Sequence, residues 1–232
     1  LGLKRIKASQ ALALGDGAGA DALVLAVAEG DSALSLLQAM PAEARRRTST
    51  LSTGGVPLNA LKGSNLVGGR RVPSKGFAAN EFFRAFCYLT GLAPGRPYAA
   101  SQLRHGHVDV YVDADVDGAG HILGLLLALC WTYWPGFLAE GRLRQVLTPV
   151  VRAYRRGAGR RREAFLERFY SERAYREWAG RPGAPAHSAV YFKGLATHND
   201  WERRQIFEAF ELRTFGLGPG CAKAVEDFFG ED

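Results

Sequence analysis

The chain has 232 residues and 47% hydrophobic content, enough for one substantial core or two smaller ones. Its net charge of +7 favours a polyanionic partner such as nucleic acid. The three cysteines show neither metal-ligand spacing nor a disulfide framework, which is typical of a reducing compartment. The apolar run 121–134 is too short to span a bilayer, so no membrane association is expected. No signal peptide opens the sequence. Because it begins with Leu1 and not with methionine, we expect an excised domain.

The first predicted unit is a strand followed by a helix, over residues 22–40. Its aliphatic run, 22–28, is typical of a buried strand and ends in Glu29. Gly30 permits a tight turn, and either Asp31 or Ser32 is suited to cap the helix that follows. The unit therefore places a carboxylate at the carboxyl end of a strand.

The next stretch is predicted to be largely irregular. Residues 48–76 are rich in Gly, Ser and Thr and predict a long surface loop. A short helix is predicted from Glu81 to Leu89.

A second strand, ending near Val112, leads into three aspartates at spacing two, Asp113, Asp115 and Asp117. In an extended chain residues two apart share a face, about 7 Å apart. At close approach each carboxylate pair costs on the order of 4 kcal/mol at an effective dielectric near 20, so the site calls for a cation unless one group is protonated. Oxygen ligands suit a hard ion such as Mg2+.

The run 121–134 then predicts a helix, so both acidic units have a strand, a turn and a helix. The carboxyl ends of parallel strands line the ligand crevice of such sheets. If the two strands are neighbours, Glu29 meets Asp113 and Asp115.

The last third combines basic and aromatic segments. Residues 157–162 predict a basic hairpin tip or linker, and residues 163–178 predict a helix whose aromatic side chains belong to the core. A strand is expected over 189–196 and a helix over 200–213. Together with the acidic site, the arginine clusters predict a phosphate-backbone footprint, although any single run is equally well explained as a solvated loop. The clusters are Arg45–Arg47, Arg70–Arg71, Arg155–Arg156 and Arg160–Arg162.

Two other functions fit the aspartate run less well. An EF-hand loop would require a bidentate Glu where Gly124 stands, and a helix rather than a strand before it. A haloacid-dehalogenase phosphatase also opens with Asp-x-Asp after a strand, but that family does not predict the Glu29 segment. The histidines near the run, His105, His107 and His121, are more often core or solvent residues than metal ligands.

Six motifs, in matching order over about residues 3–215, resemble the Toprim domain of type IIA DNA topoisomerases, in the eukaryotic or large-DNA-virus form. They are Glu29-Gly-Asp-Ser-Ala33; Pro57-Leu58 with Lys62 and Asn65-Leu66; Asp113-x-Asp-x-Asp-Gly118; Thr148-Pro149-Val-Val151; Phe169-Tyr-Ser171 with Trp178; and Tyr191-Phe-Lys-Gly-Leu195 with Thr197.

The resemblance implies an α/β, Rossmann-like Toprim fold with a mainly parallel central sheet flanked by helices and a C-terminal α+β extension. We expect a lead-in segment at 1–20, the Toprim core at 21–155, the extension at 156–215 and a tail at 216–232 toward a winged-helix domain.

The resemblance also implies a metal-assisted DNA cleavage and rejoining site. Glu29, Asp113 and Asp115 would be catalytic ligands of Mg2+, with Mn2+ or Ca2+ as substitutes, and Asp117 would hold or tune a second ion. Glu29 could instead serve as general acid or base. The DNA contacts implied by the resemblance and the basic tip are Lys62, Asn65, His121, Lys193, Arg160, Arg161 and Arg162.

In this family the nucleophilic tyrosine lies on the winged-helix domain, and none of the eight tyrosines here has that context. ATP would be bound by a separate ATPase domain and not by this chain. The whole enzyme would be a homodimer that passes one DNA duplex through another, in the nucleus, or in a viral factory or virion.

The sequence departs from the family pattern at several positions. One extra residue follows Asp117-Gly118, Asn59 replaces an arginine, and Leu123 replaces a basic residue. Ala196 and His198 replace a glycine and a serine. Two alternatives stay open: a metal-dependent nuclease or primase-like Toprim enzyme, and a non-catalytic DNA-binding or scaffold domain, which the insertion and the lost arginine favour.

Overall fold

The computed structural model describes residues 6–7, 19–30, 36–113 and 120–230. The strands are β1 (Ile6–Lys7), β2 (Val24–Ala28), β3 (Thr48–Ser52), β4 (Ser64–Val67), β5 (Arg70–Pro73), β6 (His107–Tyr111), β7 (Leu143–Leu147), β8 (Val151–Arg155), β9 (Phe165–Phe169), β10 (His187–Tyr191) and β11 (Glu211–Thr214). The helices are α1 (Ala42–Arg46), α2 (Lys75–Ala79), α3 (Glu81–Thr90), α4 (Leu123–Tyr133), α5 (Pro135–Ala139), α6 (Glu172–Ala179), α7 (Asp200–Glu208) and α8 (Cys221–Phe229).

A six-stranded sheet in the order β1-β3-β2-β6-β7-β11 forms the centre of the fold. The four inner strands are parallel to their neighbours, whereas β1 and β11 join the two edges antiparallel. The predicted α/β fold with a mainly parallel central sheet flanked by helices is confirmed.

The core lies on both faces of this sheet because side chains alternate along each strand. Val108 and Val110 of β6 pack with the apolar residues of α3 and α4 on one face. Tyr111, from the same strand, packs with Ala26 and with Ile206 of α7 on the other face. Burial on both faces explains the continuous apolar run of β2 and the nearly continuous one of β6.

A smaller antiparallel sheet, in the order β10-β8-β9, carries the extension. Helix α6 covers one of its faces, where the Phe169 ring centroid lies 5.4 Å from that of Tyr175 and 5.2 Å from that of Trp178. The prediction that the aromatics of this segment are core residues is confirmed for these three. The basic stretch 157–162 connects β8 to β9, so the predicted hairpin tip is confirmed.

Two secondary-structure predictions are wrong. Residues 48–76 contain β3, which is an inner strand of the central sheet, and the β4–β5 hairpin, instead of one long loop. Residues 165–169 form β9, so the predicted helix over 163–178 is replaced by a strand and then α6.

The helix expected over 200–213 ends at residue 208, and β11 follows. Although β11 belongs to the segment assigned to the extension, it pairs with β7 of the central sheet. The domain boundaries stay a prediction. In the part of the chain that the structure describes, no helix has the length and apolar character needed to cross a membrane.

Candidate metal and DNA site

Two predicted metal ligands follow adjacent parallel strands. Strands β2 and β6 pair in a register that sets Ala28 opposite Tyr111. Glu29 comes directly after Ala28, and Asp113 comes two residues after Tyr111. The two strands are neighbours, so the two residues belong to the same edge of the sheet.

The Asp113 carboxylate is held by the Lys-Gly-Leu segment, which lies 80 residues further along the chain. The Leu195 N–H donates a hydrogen bond of 2.8 Å to Asp113 Oδ1. A Cβ at Gly194 would lie 2.8 Å from Asp113 Oδ2, closer than real contacts allow. Because Gly194 has an extended backbone with φ −144°, which any residue adopts, its glycine matters for the space it leaves to the Asp113 carboxylate and not for backbone freedom. Asp113 thus sits in a cradle that a side chain would fill.

The end of β2 is fixed by the neighbouring strand β3. Thr53 N donates a hydrogen bond of 2.9 Å to Ala28 O. The Glu29 carbonyl oxygen accepts hydrogen bonds from Thr53 Oγ1 at 3.3 Å and Ser52 Oγ at 3.4 Å. These bonds anchor the main chain that presents Glu29.

The donor set fits a hard divalent cation as far as it is described. Glu29 and Asp113 follow adjacent parallel strands, and carboxylate oxygens are the ligands that Mg2+ prefers. Asp115 and Asp117, the other two predicted ligands, lie outside the described residues. Among the described residues, no three His, Cys, Asp or Glu side chains form a metal-binding group.

The four DNA contacts implied by the family motifs are all exposed in the structure: Lys62, Asn65, His121 and Lys193. Lys193 directly precedes Gly194, so its main chain lies close to the Asp113 carboxylate. Neither Lys62 nor Lys193 has an ion-pair partner among the described residues.

Asn59, which stands where the family has an arginine, organises the loop before Lys62. Its Oδ1 accepts hydrogen bonds from the main-chain N–H groups of Leu61 at 2.9 Å and Lys62 at 3.3 Å. Its Nδ2 donates to the carbonyl of Phe229 in α8 at 2.8 Å. Asn59 thus bridges the loop and α8.

The three arginines of the basic tip have different surroundings. Arg160 is paired with buried Glu202, and its Nη2 also donates to the Thr197 carbonyl at 2.9 Å. Arg161 is exposed and its Nε donates to the Ala158 carbonyl at 2.9 Å, while the side chain of Arg162 is 72% exposed. Arg161 and Arg162 therefore have more freedom than Arg160 to contact a phosphate.

Sequence reasoning missed the buried polar cluster around Glu202, which joins α7 to the smaller sheet. The carboxylate is fully buried and accepts hydrogen bonds from Tyr154 Oη, from Arg160 and from the Asn199 N–H. Burial alone would raise the pKa of Glu202, but these donors outweigh it and hold the pKa below its usual value. The capping box Asn199-x-x-Glu202 was the available signal for this helix start.

His198 lies beside this cluster. Its ring stacks on Phe192 with centroids 4.1 Å apart, in the segment that follows the Gly194 cradle. Burial and the nearby Arg152 guanidinium lower the pKa of His198 to about 3. The imidazole is therefore neutral at physiological pH.

No protein-family profile matches the chain. A DNA topoisomerase 2 of African swine fever virus is 32% identical over 234 aligned residues, covering 90% of this chain. The DNA topoisomerase 2 of Pisum sativum is 31% identical over 209 residues, covering 88% of this chain.

The chain belongs to the Toprim region of the type IIA DNA topoisomerases. The chain spans only part of these relatives: 19% of the length of the viral protein and 13% of the length of the plant protein. A crystal structure of the Plasmodium falciparum topoisomerase II DNA-binding, cleavage and re-ligation domain superposes with a TM-score of 0.81. That match covers 100% of this chain and 30% of the other and, at 22% identity, concerns the fold.

Proposed function

We propose that this Toprim region supplies the metal-binding acids for transient double-strand DNA cleavage and religation by a type IIA topoisomerase. The observation that carries the proposal is the meeting of two motifs from distant parts of the chain. Strands β2 and β6 pair side by side, and they lead into Glu29 and Asp113. The Lys193–Leu195 segment is joined to Asp113 by the hydrogen bond from the Leu195 N–H. A carboxylate pair and a lysine at one sheet edge suit the handling of phosphate.

Glu29, Asp113 and Asp115 would hold Mg2+, with Asp117 near a second ion. When bound, the metal would neutralise charge at the cleaved phosphate and the leaving 3′ oxygen. The Leu195 N–H fixes the orientation of the Asp113 carboxylate before any ion binds. Lys193 and Lys62 would bind the adjoining phosphates, which helps to place the DNA strand for in-line attack.

The rest of the reaction is assigned to other parts of the parent protein. A tyrosine on a winged-helix domain would attack the phosphate, because a phosphotyrosyl bond preserves the energy needed to reseal the strand. A separate ATPase domain would bind ATP, and a homodimer would cut both strands. Location in the nucleus, or in a viral factory or virion, belongs to the same proposal.

Metal binding is tested with Asp113→Asn, which keeps the shape of the side chain and removes its charge. We expect weak Mg2+ or Mn2+ binding by the wild-type chain in calorimetry and at least a tenfold loss in the variant, because about 1.4 kcal/mol of lost binding is tenfold in affinity. Asp200→Asn is the matched control, since the Asp200 side chain is 85% exposed on α7. Equal binding by Asp113→Asn and the wild type would contradict the metal assignment.

Cleavage is tested in the full-length parent protein with Glu29→Gln. We expect Mg2+-dependent cleavage that leaves protein attached to the 5′ phosphate in the wild type, and loss of cleavage with retained DNA binding in the variant. Glu163→Gln, which alters an exposed carboxylate, is the control and should be active. If the chain alone nicks DNA and leaves free ends, it is a Toprim nuclease instead. Metal-independent DNA binding without cleavage by the full-length protein would support the scaffold alternative.

A further inference from the structure

A cleft lies at the other end of α4 from the sheet edge that carries Glu29 and Asp113, which we call the acidic edge. The cleft is open to solvent and is bounded by the start of β5, the loop 95–98, the last turn of α4 and the start of α5, and it has a volume of about 510 Å3. That is within the range of roughly 300–1,000 Å3 in which small-molecule sites fall. We call it the basic cleft. Tyr133, in the last turn of α4, is ten residues from the start of the helix at Leu123, or about 15 Å along the helix axis. The length of α4 thus separates the basic cleft from the acidic edge.

Two tyrosines give the basic cleft rigid walls. The Tyr98 ring is packed so closely on α5 that a Cβ at Gly136 would lie 2.7 Å from Tyr98 Cδ1. The Tyr98 hydroxyl donates a hydrogen bond of 2.7 Å to Glu140 Oε2. The Tyr133 ring packs on Phe77 and Phe83, with centroids 5.9 Å and 5.7 Å away. The shape of the cleft is therefore formed before any ligand enters.

Three arginines line the basic cleft, Arg70, Arg71 and Arg96, and all three are exposed. Arg71 donates a hydrogen bond of 3.1 Å to Ser64 Oγ. Within the described ranges, the guanidinium groups of Arg70 and Arg96 have no hydrogen-bond or ion-pair partner, and no acidic side chain lines the cleft. Three cations concentrated around one concave surface attract an anion.

The two tyrosines do not oppose this attraction. Burial, followed by the hydrogen bond to Glu140, raises the pKa of Tyr98 to about 12, and burial raises the pKa of Tyr133 to about 12. Both phenols are neutral at pH 7, so the arginines are the charged groups among the residues that line the cleft, and the nearby Glu140 carboxylate is paired with Arg142.

The half-buried indole of Trp131 is the remaining element of the cleft. A flat aromatic surface beside guanidinium groups is the combination that binds a nucleotide: the phosphate is bound bidentately by arginine and the base stacks on the ring. A fully apolar pocket would not select an anion, and arginines alone would not select a base.

We propose that the basic cleft binds a nucleotide unit, with its phosphate on Arg70, Arg71 and Arg96 and its base against Trp131. A free nucleotide and a single-stranded DNA end share this chemistry. The site is separate from the proposed cleavage site and uses none of its residues.

The test is calorimetric titration of the chain with thymidine 5′-monophosphate, thymidine, orthophosphate and an eight-residue oligothymidylate. We expect the monophosphate to bind at least tenfold more tightly than thymidine or orthophosphate. Tighter binding of the oligonucleotide identifies a single-stranded DNA end as the source, and equal or weaker binding identifies the free nucleotide. Absence of binding by both the monophosphate and the oligonucleotide overturns the proposal.

Variants assign the binding to the cleft. Arg70→Gln with Arg96→Gln should weaken monophosphate binding at least tenfold, because two charge-assisted hydrogen bonds are lost. Arg46→Gln with Arg181→Gln removes the same charge from exposed arginines elsewhere and should have little effect. An equal loss in both pairs would show that only net charge matters, and would overturn the proposal.

The aromatic contact is tested separately. Trp131→Leu should weaken binding of the monophosphate at least fivefold and leave orthophosphate binding unchanged, because only the base stacks. If this variant melts early, saturation transfer from the wild-type protein to the thymine methyl protons gives a second measurement, and no transfer would refute base stacking. Asp113→Asn should not change nucleotide binding, so failure of the metal assignment and failure of this site are distinguishable.

Discussion

Replacing Glu202 by glutamine should destabilise the fold more than any other neutralisation of a carboxylate described above. The Glu202 side chain is fully buried, and its two oxygens accept four hydrogen bonds. Tyr154 Oη and Arg160 Nε donate to Oε1, while Arg160 Nη2 and the Asn199 N–H donate to Oε2. Either orientation of the new amide places its NH2 group opposite two of these donors.

The expected cost follows from what those two donors lose. A buried donor left without an acceptor costs about 1–3 kcal/mol. The Arg160 side chain is 37% exposed, so water compensates part of its loss. We therefore expect Glu202→Gln to lower the free energy of unfolding by about 3 kcal/mol. One donor loses its hydrogen bond in full, a second loses it in part, and the charge interaction with Arg160 is weakened.

The assay is urea unfolding of the chain at pH 7 for Glu202→Gln, Arg160→Gln and the double variant. The exposed control Glu163→Gln should change the free energy of unfolding by less than about 0.5 kcal/mol. Arg160→Gln should cost about 1–2 kcal/mol, and the two effects should be non-additive because the residues are in contact. A Glu202→Gln variant within 0.5 kcal/mol of the wild type would refute the reasoning.

The same variants separate the roles within the basic tip. Arg161→Gln with Arg162→Gln should leave stability unchanged and reduce the steepness with which duplex DNA affinity falls with salt, since each phosphate contact contributes about one unit to that slope. Arg160→Gln should instead lower stability and leave the salt dependence of DNA affinity unchanged. Wild-type affinity that is flat between low and physiological salt would contradict the electrostatic footprint itself.

Two further results are expected. Gly194→Ala should cost about 1–3 kcal/mol in urea unfolding and weaken Mg2+ binding, because the new Cβ displaces Asp113, whereas Gly218→Ala, with open space around it, should do neither. His198 is neutral in the folded state and titrates near pH 6.5 in the unfolded chain, so its contribution to stability is present above that pH and is lost as the pH falls. Between pH 6.5 and pH 5 the wild type should lose about 2 kcal/mol more than His198→Phe, and parallel curves would contradict the assignment.

The sequence predicted the acidic strands well because their signal is local. An uninterrupted aliphatic run such as that of β2 is typical of a buried parallel strand, and the residue after it must lie at the sheet edge. Strand β3 gave no such signal because it is built from Thr and Ser. Its Ser49 is nevertheless fully buried. The cost of burying the hydroxyl is offset by a hydrogen bond of 2.8 Å to His105 Nε2, on a residue 56 positions away in the sequence.

The helix predicted over 163–178 shows the opposite error. Phe165 and Phe169 are four residues apart, which matches one face of a helix, but the pairing of β9 with β8 outweighs that local pattern. The bond between Leu195 and Asp113 and the pair of Arg160 with Glu202 were also outside the reach of pattern reasoning. Each joins segments more than 40 residues apart, and only the fold brings them together.

The position of β11 has a consequence for how the chain can be divided. Because the sheet is completed by residues 211–214, a fragment ending at residue 155 would leave the backbone N–H and C=O groups along one side of β7 without a partner strand. An exposed inner strand of this kind is a template for pairing with other chains, so such a fragment should aggregate. On the ribosome the same strand stays uncovered until residue 214 has emerged from the exit tunnel. The sheet that carries both carboxylates is therefore finished late in synthesis, after the basic tip and the Lys-Gly-Leu segment have already been made.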